Sequence, residues 1–107
     1  PICLNLAFTR SAKKAKADFL ASLPSLGWTQ PPDRFGHYKM TVLVEGSNPV
    51  RSKVARLKIQ SNSWRVEHEI TIPATQYSPA EKRWVCLRHG YFNDPKAPSA
   101  KVPAFKA

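Results

Sequence analysis

The sequence predicts an α+β fold: a mostly antiparallel five-stranded sheet with one short amphipathic helix, in the order β-α-β-β-β-β, and an irregular basic C-terminal tail. Three observations carry this expectation. Five stretches alternate apolar and polar residues with the period of two that buries one side of a strand. One stretch before Pro24 spaces its apolar residues three and four apart, as a helix does. Ten prolines then confine regular structure to the spans 2–23, 33–48, 50–72 and 80–94.

The elements follow in order. Ile2, Leu4, Leu6 and Phe8 alternate with Cys3, Asn5 and Ala7, which predicts a first strand. Thr9 or Ser11 can cap a helix running to Leu23, with Ala12, Ala15, Phe19, Leu20 and Leu23 toward a core and Lys13, Lys14 and Lys16 outward. Residues 24–36 are turn-rich and hold two exposed-looking aromatics, Trp28 and Phe35, so a loop is expected. A second strand over 37–45 places Tyr38, Met40, Val42 and Val44 on one face and stops at Gly46-Ser47-Asn48-Pro49. The third, 53–60, turns Ala55, Leu57 and Ile59 inward. The fourth, 64–72, sets Trp64, Val66, His68, Ile70 and Ile72 against Arg65, Glu67, Glu69 and Thr71, and ends at Pro73. The fifth spans 83–89. Residues 1–93 then make one domain with a single modest core, and 94–107 a tail rich in Pro, Lys and Ala, read as a flexible basic arm or, alternatively, as a terminus whose Val102 and Phe105 dock on the body.

Cross-strand charge decides the expected register of the 53–72 hairpin. A two-residue turn at Asn62-Ser63 opposes Lys58 to Glu67 and Arg56 to Glu69, whereas a shifted register opposes Lys58 to Arg65, a like-charge pair. The first register is preferred, and it makes Arg56, Lys58, Glu67 and Glu69 structural.

Seventeen Lys plus Arg against seven Asp plus Glu leave a net charge of +10, more than solubility needs, so a polyanionic partner is expected. An apolar content of 42% argues against general disorder. No stretch is long and apolar enough for a membrane helix and no secretory signal is legible, which predicts a soluble intracellular protein of cytoplasm, nucleoid or virion, without a membrane partner. Two cysteines, Cys3 and Cys86, exclude a multi-disulfide scaffold and a four-cysteine zinc site and read as buried reduced thiols.

Single-stranded nucleic acid is held by cations that track phosphates and aromatic faces that stack bases, and two places interleave the two kinds. One is the stretch from Arg34 to Lys39. The other brackets the fifth strand, where Trp84, Cys86 and Arg88 fall on one face. The expected contacts are first Arg83, Trp84 and Arg88, next Arg34, Tyr38 and Lys39, with Lys13, Lys14, Lys16 and the tail lysines Lys96, Lys101 and Lys106 as auxiliary phosphate contacts. Duplex DNA is less favoured, because the short lysine-faced helix offers little to read base edges. The expected protein is non-catalytic and uses no cofactor or metal.

Two other classes stand beside this one. Strands with open edges can pair between subunits, giving a two-fold homodimer, a viral coat subunit or a small inhibitor of a nucleic-acid enzyme. A metal-independent ribonuclease needs a base, a cation and a positioned phosphate, which His37 or His89 among Arg34, Lys39 and Arg88 could supply. The helix ending in Leu26-Gly27-Trp28, followed by Gly36-His37-Tyr38 at the start of a strand, resembles the start of HicA-type toxin ribonucleases over about 30 residues. His68, on the apolar face of its strand, reads as a satisfied buried imidazole.

Overall fold

The computed structural model describes residues 10–107. It is an α+β arrangement: helix α1 (Arg10–Ser22), a 3-10 turn (Leu23–Leu26), and strands β1 (His37–Glu45), β2 (Ser52–Ile59), β3 (Ser63–Ile72), β4 (Glu81–Tyr91) and β5 (Phe105–Lys106). The expected strand over 2–8 lies outside the described residues. The sheet runs β4-β3-β2-β1-β5, an antiparallel meander closed by one parallel strand. Among the described residues no helix is long and apolar enough to cross a membrane.

The four long strands stand within about two residues of their expected bounds, because each sets apolar side chains against polar ones at a period of two. On the apolar side of the sheet α1 sets Phe19 against Trp64 of β3, stacked with ring centroids 5.5 Å apart, and Phe19 meets Phe92 edge-on at 5.1 Å. Ala55, Leu57, Trp64 and Val66 are buried at the centre, with Leu23, Trp28 and Ala100 packed onto them.

Trp28 is not the exposed loop aromatic that its turn-rich surroundings predict. Gly27 takes φ 101°, a left-handed conformation that ends the 3-10 turn while the Trp28 N–H donates to the Leu23 carbonyl, and the chain reverses inward. The buried indole Nε1 then donates to the Ala100 carbonyl at 2.9 Å.

That bond also corrects the tail. The sequence predicts an irregular basic arm over 94–107, yet Ala100 and Phe105 are buried. Phe105 and Lys106 pair parallel with Val44 and Glu45, and the Ala107 N–H donates to the Glu45 carbonyl at 2.9 Å. The fifth strand of the described sheet is therefore C-terminal and parallel, which makes the sheet mixed. Burial outweighs chain freedom here: Val102 packs against the core, and Phe105 is buried with its ring stacked on His68.

The hairpin takes the other register. Gln60 donates its N–H to the Ser63 carbonyl at 2.8 Å across a turn at Ser61-Asn62, and Arg56 faces Glu67 while Lys58 faces Arg65. This register sets Trp64 beside Ile59 and Val66 beside Leu57. Leu57 and Val66 are wholly buried, and the like-charge pair that this register sets at Lys58 and Arg65 costs about 0.2–1 kcal/mol.

Candidate nucleic-acid interface

Residues paired across strands share a face, so the register assigns every charge to a side. The side away from α1 carries His37 and Lys39 on β1, Arg56 and Lys58 on β2, Arg65, Glu67 and Glu69 on β3, and Trp84, Cys86 and His89 on β4. The two carboxylates of β3 are engaged. Glu67, buried, accepts two hydrogen bonds from Arg56 at 2.9 and 3.1 Å, and Glu69 lies 3.7 Å from Lys82.

What these pairs leave over forms a line. His37 lies opposite Lys58, Lys58 opposite Arg65, and Arg65 opposite His89, one residue from each antiparallel strand. Three interstrand steps of about 4.8 Å make the line roughly 14 Å long. Lys39 stands beside it, opposite Arg56. Arg65 has one carboxylate neighbour, Glu67 Oε2 at 3.8 Å; among the described residues no carboxylate pairs with Lys58 or Lys39. Cations set directly opposite one another across strands destabilise a sheet, and an anion lying along them removes that cost.

An exposed aromatic stands at each end of the line. Beyond His37 the chain turns through Asp33, whose Oδ1 accepts the N–H groups of Phe35 and His37 at 2.9 and 3.0 Å. The His37 hydrogen bond holds the Asp33 carboxyl below its usual range against some desolvation, with the Phe35 N–H and the nearby His37 and Lys39 adding to the effect. The turn presents Phe35, 67% exposed, with the Arg34 guanidinium 4.8 Å from its ring centroid and the His37 ring at 6.2 Å. Beyond His89 stands Tyr91, 54% exposed.

The residues expected to bind are only partly brought together. Arg34 and Lys39 are exposed near the line, but Tyr38 is half-buried on the α1 side, opposite Leu57. Trp84, Cys86 and Arg88 do not share a face. A bulge opposes Val66 to Arg88 but Glu67 to Cys86, so Leu87 is extra and Arg88 turns to the α1 side, where it donates to the Ser99 carbonyl at 3.3 Å. Arg83 is on that side too and pairs with Glu81. Trp84 lies on the open side with the Arg56 guanidinium 4.1 Å from its ring centroid, so that ring face is taken. Lys13 and Lys14 are exposed on α1, whereas Lys16 donates to the Gln60 and Ser61 carbonyls at 3.3 and 3.4 Å and lies over Phe92 at 5.4 Å, tying α1 to the β2–β3 turn. Lys96, Lys101 and Lys106 are exposed. Sequence reasoning missed Lys58 and Arg65 because its preferred register gave Lys58 to Glu67 and set Arg65 beside the neutral Gln60; the shifted register held the signal.

Cys86 is exposed rather than buried, and its thiol is free. His37 and His89, at opposite ends of the line, are too far apart to act together on one phosphate, since paired proton transfer needs both within hydrogen-bond reach. Among the described residues no three His, Cys, Asp or Glu side chains gather as metal ligands. Compared with known proteins, the chain matches no family model, no curated protein and no solved structure.

His68 departs from expectation differently. Its Nδ1 is buried without a hydrogen-bond partner, while the ring stacks on Phe105 at 5.4 Å and Lys53 Nζ lies 5.1 Å from the Phe105 centroid. Desolvation, then the Lys53 charge, lowers the His68 pKa from 6.5. A histidine held neutral in the folded state binds its proton more readily when unfolded, so its stabilising effect is complete above the unfolded value and declines as pH falls below it. The urea midpoint is expected to fall between pH 7.5 and pH 5, and His68→Gln to flatten that fall; an equal slope in the variant would assign the acid sensitivity elsewhere.

Proposed function

We propose that this chain binds single-stranded DNA or RNA on the open side of its sheet, without catalysis. The observation that carries the reading is the line His37-Lys58-Arg65-His89, whose two central members are directly opposed cations, flanked by the exposed rings of Phe35 and Tyr91. Phosphates supply the anion that relieves the opposed charges, and the two rings offer platforms for unstacked bases. Lys39 and Arg34 extend the cationic surface toward β1, whereas Lys13 and Lys14 stand on α1, across the sheet from this face.

The test is affinity for single-stranded DNA, RNA and duplex across a salt series. Tight binding to single strands is expected, with log K falling by about 0.7 per phosphate contacted for each tenfold rise in salt. Weak binding to all three at low salt would overturn the proposal and favour a protein partner. Turnover of RNA that vanishes in His37→Ala would instead point to a ribonuclease.

A further inference from the structure

We infer that the β4 end of the cationic line is a pocket for one unstacked nucleobase, with guanine preferred. This inference rests on the nucleic-acid reading and adds base selectivity to it. A cavity of about 370 Å³ opens beside the end of β4, and its wall includes Gln60, Ser63, Arg65, His89 and Tyr91. Sites of this size hold small planar ligands.

The backbone builds the wall. Ser63 lies opposite Tyr91 and Arg65 opposite His89, two positions apart on each strand, so all four side chains leave the same side of the sheet. Between His89 and Tyr91 stands Gly90. A Cβ there would lie 2.8 Å from Trp64 Cζ2 and 2.9 Å from Ala97 Cβ, so only glycine lets β4 approach so closely, and Trp64 enters the cavity wall. The exposed Tyr91 ring is the stacking surface.

The polar lining donates more than it accepts. Glu67 Oε2, 3.8 Å away, holds one side of the Arg65 fork and leaves other N–H groups free. The Gln60 Oε1 already accepts from the Ser63 hydroxyl at 2.8 Å, which leaves the Gln60 amide to donate. Among the described residues no carboxylate lines the cavity. A donor-rich wall suits a base edge that offers two acceptors, as guanine does with O6 and N7; adenine and cytosine present an amino group on the matching edge, and that donor would meet a donor.

The experiment compares labelled single strands of about ten nucleotides, all thymine or with one central guanine, on the intact chain, Tyr91→Ala and Tyr91→Phe. One guanine is expected to tighten binding roughly tenfold. Tyr91→Ala should erase that gain without altering the salt dependence, since the phosphates keep all their cations, and Tyr91→Phe should keep it. Equal affinity for the two strands, or a gain that survives Tyr91→Ala, overturns the pocket while leaving the cationic line intact. Failure of the underlying reading looks different: neither strand binds at low salt.

Discussion

Replacing Lys58 and Arg65 together with glutamine is expected to weaken single-strand binding about 25-fold near 0.1 M salt and, in the same variant, to raise stability. The first effect follows from counterion release: two phosphates left without their cations, at about 0.7 each, lower the salt slope by about 1.4, which at 0.1 M is about 25-fold. The second follows from the register. Lys58 and Arg65 oppose each other on adjacent strands, with a histidine at each end of the line, and like charges so placed cost about 0.2–1 kcal/mol. Relief of about 0.5 kcal/mol would raise the melting temperature by about 2–4 °C. Opposite signs in binding and stability are the mark of residues kept for a ligand rather than for the fold. A variant that melts lower and binds as before would make the line structural and sink the proposal.

How much of this could be read from the chain depends on what range of contact decides it. β1 to β4 were legible because alternation is local, and Tyr38-Met40-Val42-Val44 or Trp64-Val66-His68 needs no knowledge of its neighbours. Register is not local. Charge pairing points to Lys58 with Glu67, whereas the strands pair Trp64 with Ile59 and Lys58 with Arg65; the two registers differ by two residues and keep the same faces, so alternation does not choose between them. The β4 bulge left no trace either, since Trp84-Val85-Cys86-Leu87-Arg88 alternates only loosely and nothing in it marks Leu87 as extra. The strongest sequence candidates, Trp84 and Arg88, were separated by that one residue. Trp28 is misplaced for a related reason, and for Phe105 only the docked-tail alternative fits: proline-rich surroundings predict irregular backbone correctly, yet irregular backbone can still deliver a large side chain to the core.

The other large effect is on folding. Arg56→Met is expected to cost about 3 kcal/mol and to lower the melting temperature by about 12 °C or more, although Arg56 sits on the same face as the proposed interface. Glu67 is 4% exposed, and its Oε1 takes both hydrogen bonds from Arg56; among the described residues the other cation paired with it is Arg65, 3.8 Å from Oε2. Removing Arg56 leaves a buried carboxylate with a weak partner, the costly case for a buried pair. Trp84 deepens the dependence, because the guanidinium that holds the carboxylate also packs on the indole, 4.1 Å from its centroid. Removing both charges, with Arg56→Met and Glu67→Leu together, should recover most of the loss, since a buried ion pair can be replaced by apolar groups of similar size at little cost. The double variant should also keep the salt slope of binding, because Lys58 and Arg65 remain. A single Arg56→Met variant that loses under about 1 kcal/mol would mean that water solvates Glu67. A double variant that folds but loses its salt slope would make Arg56 itself a phosphate contact and move the interface one row toward Lys39.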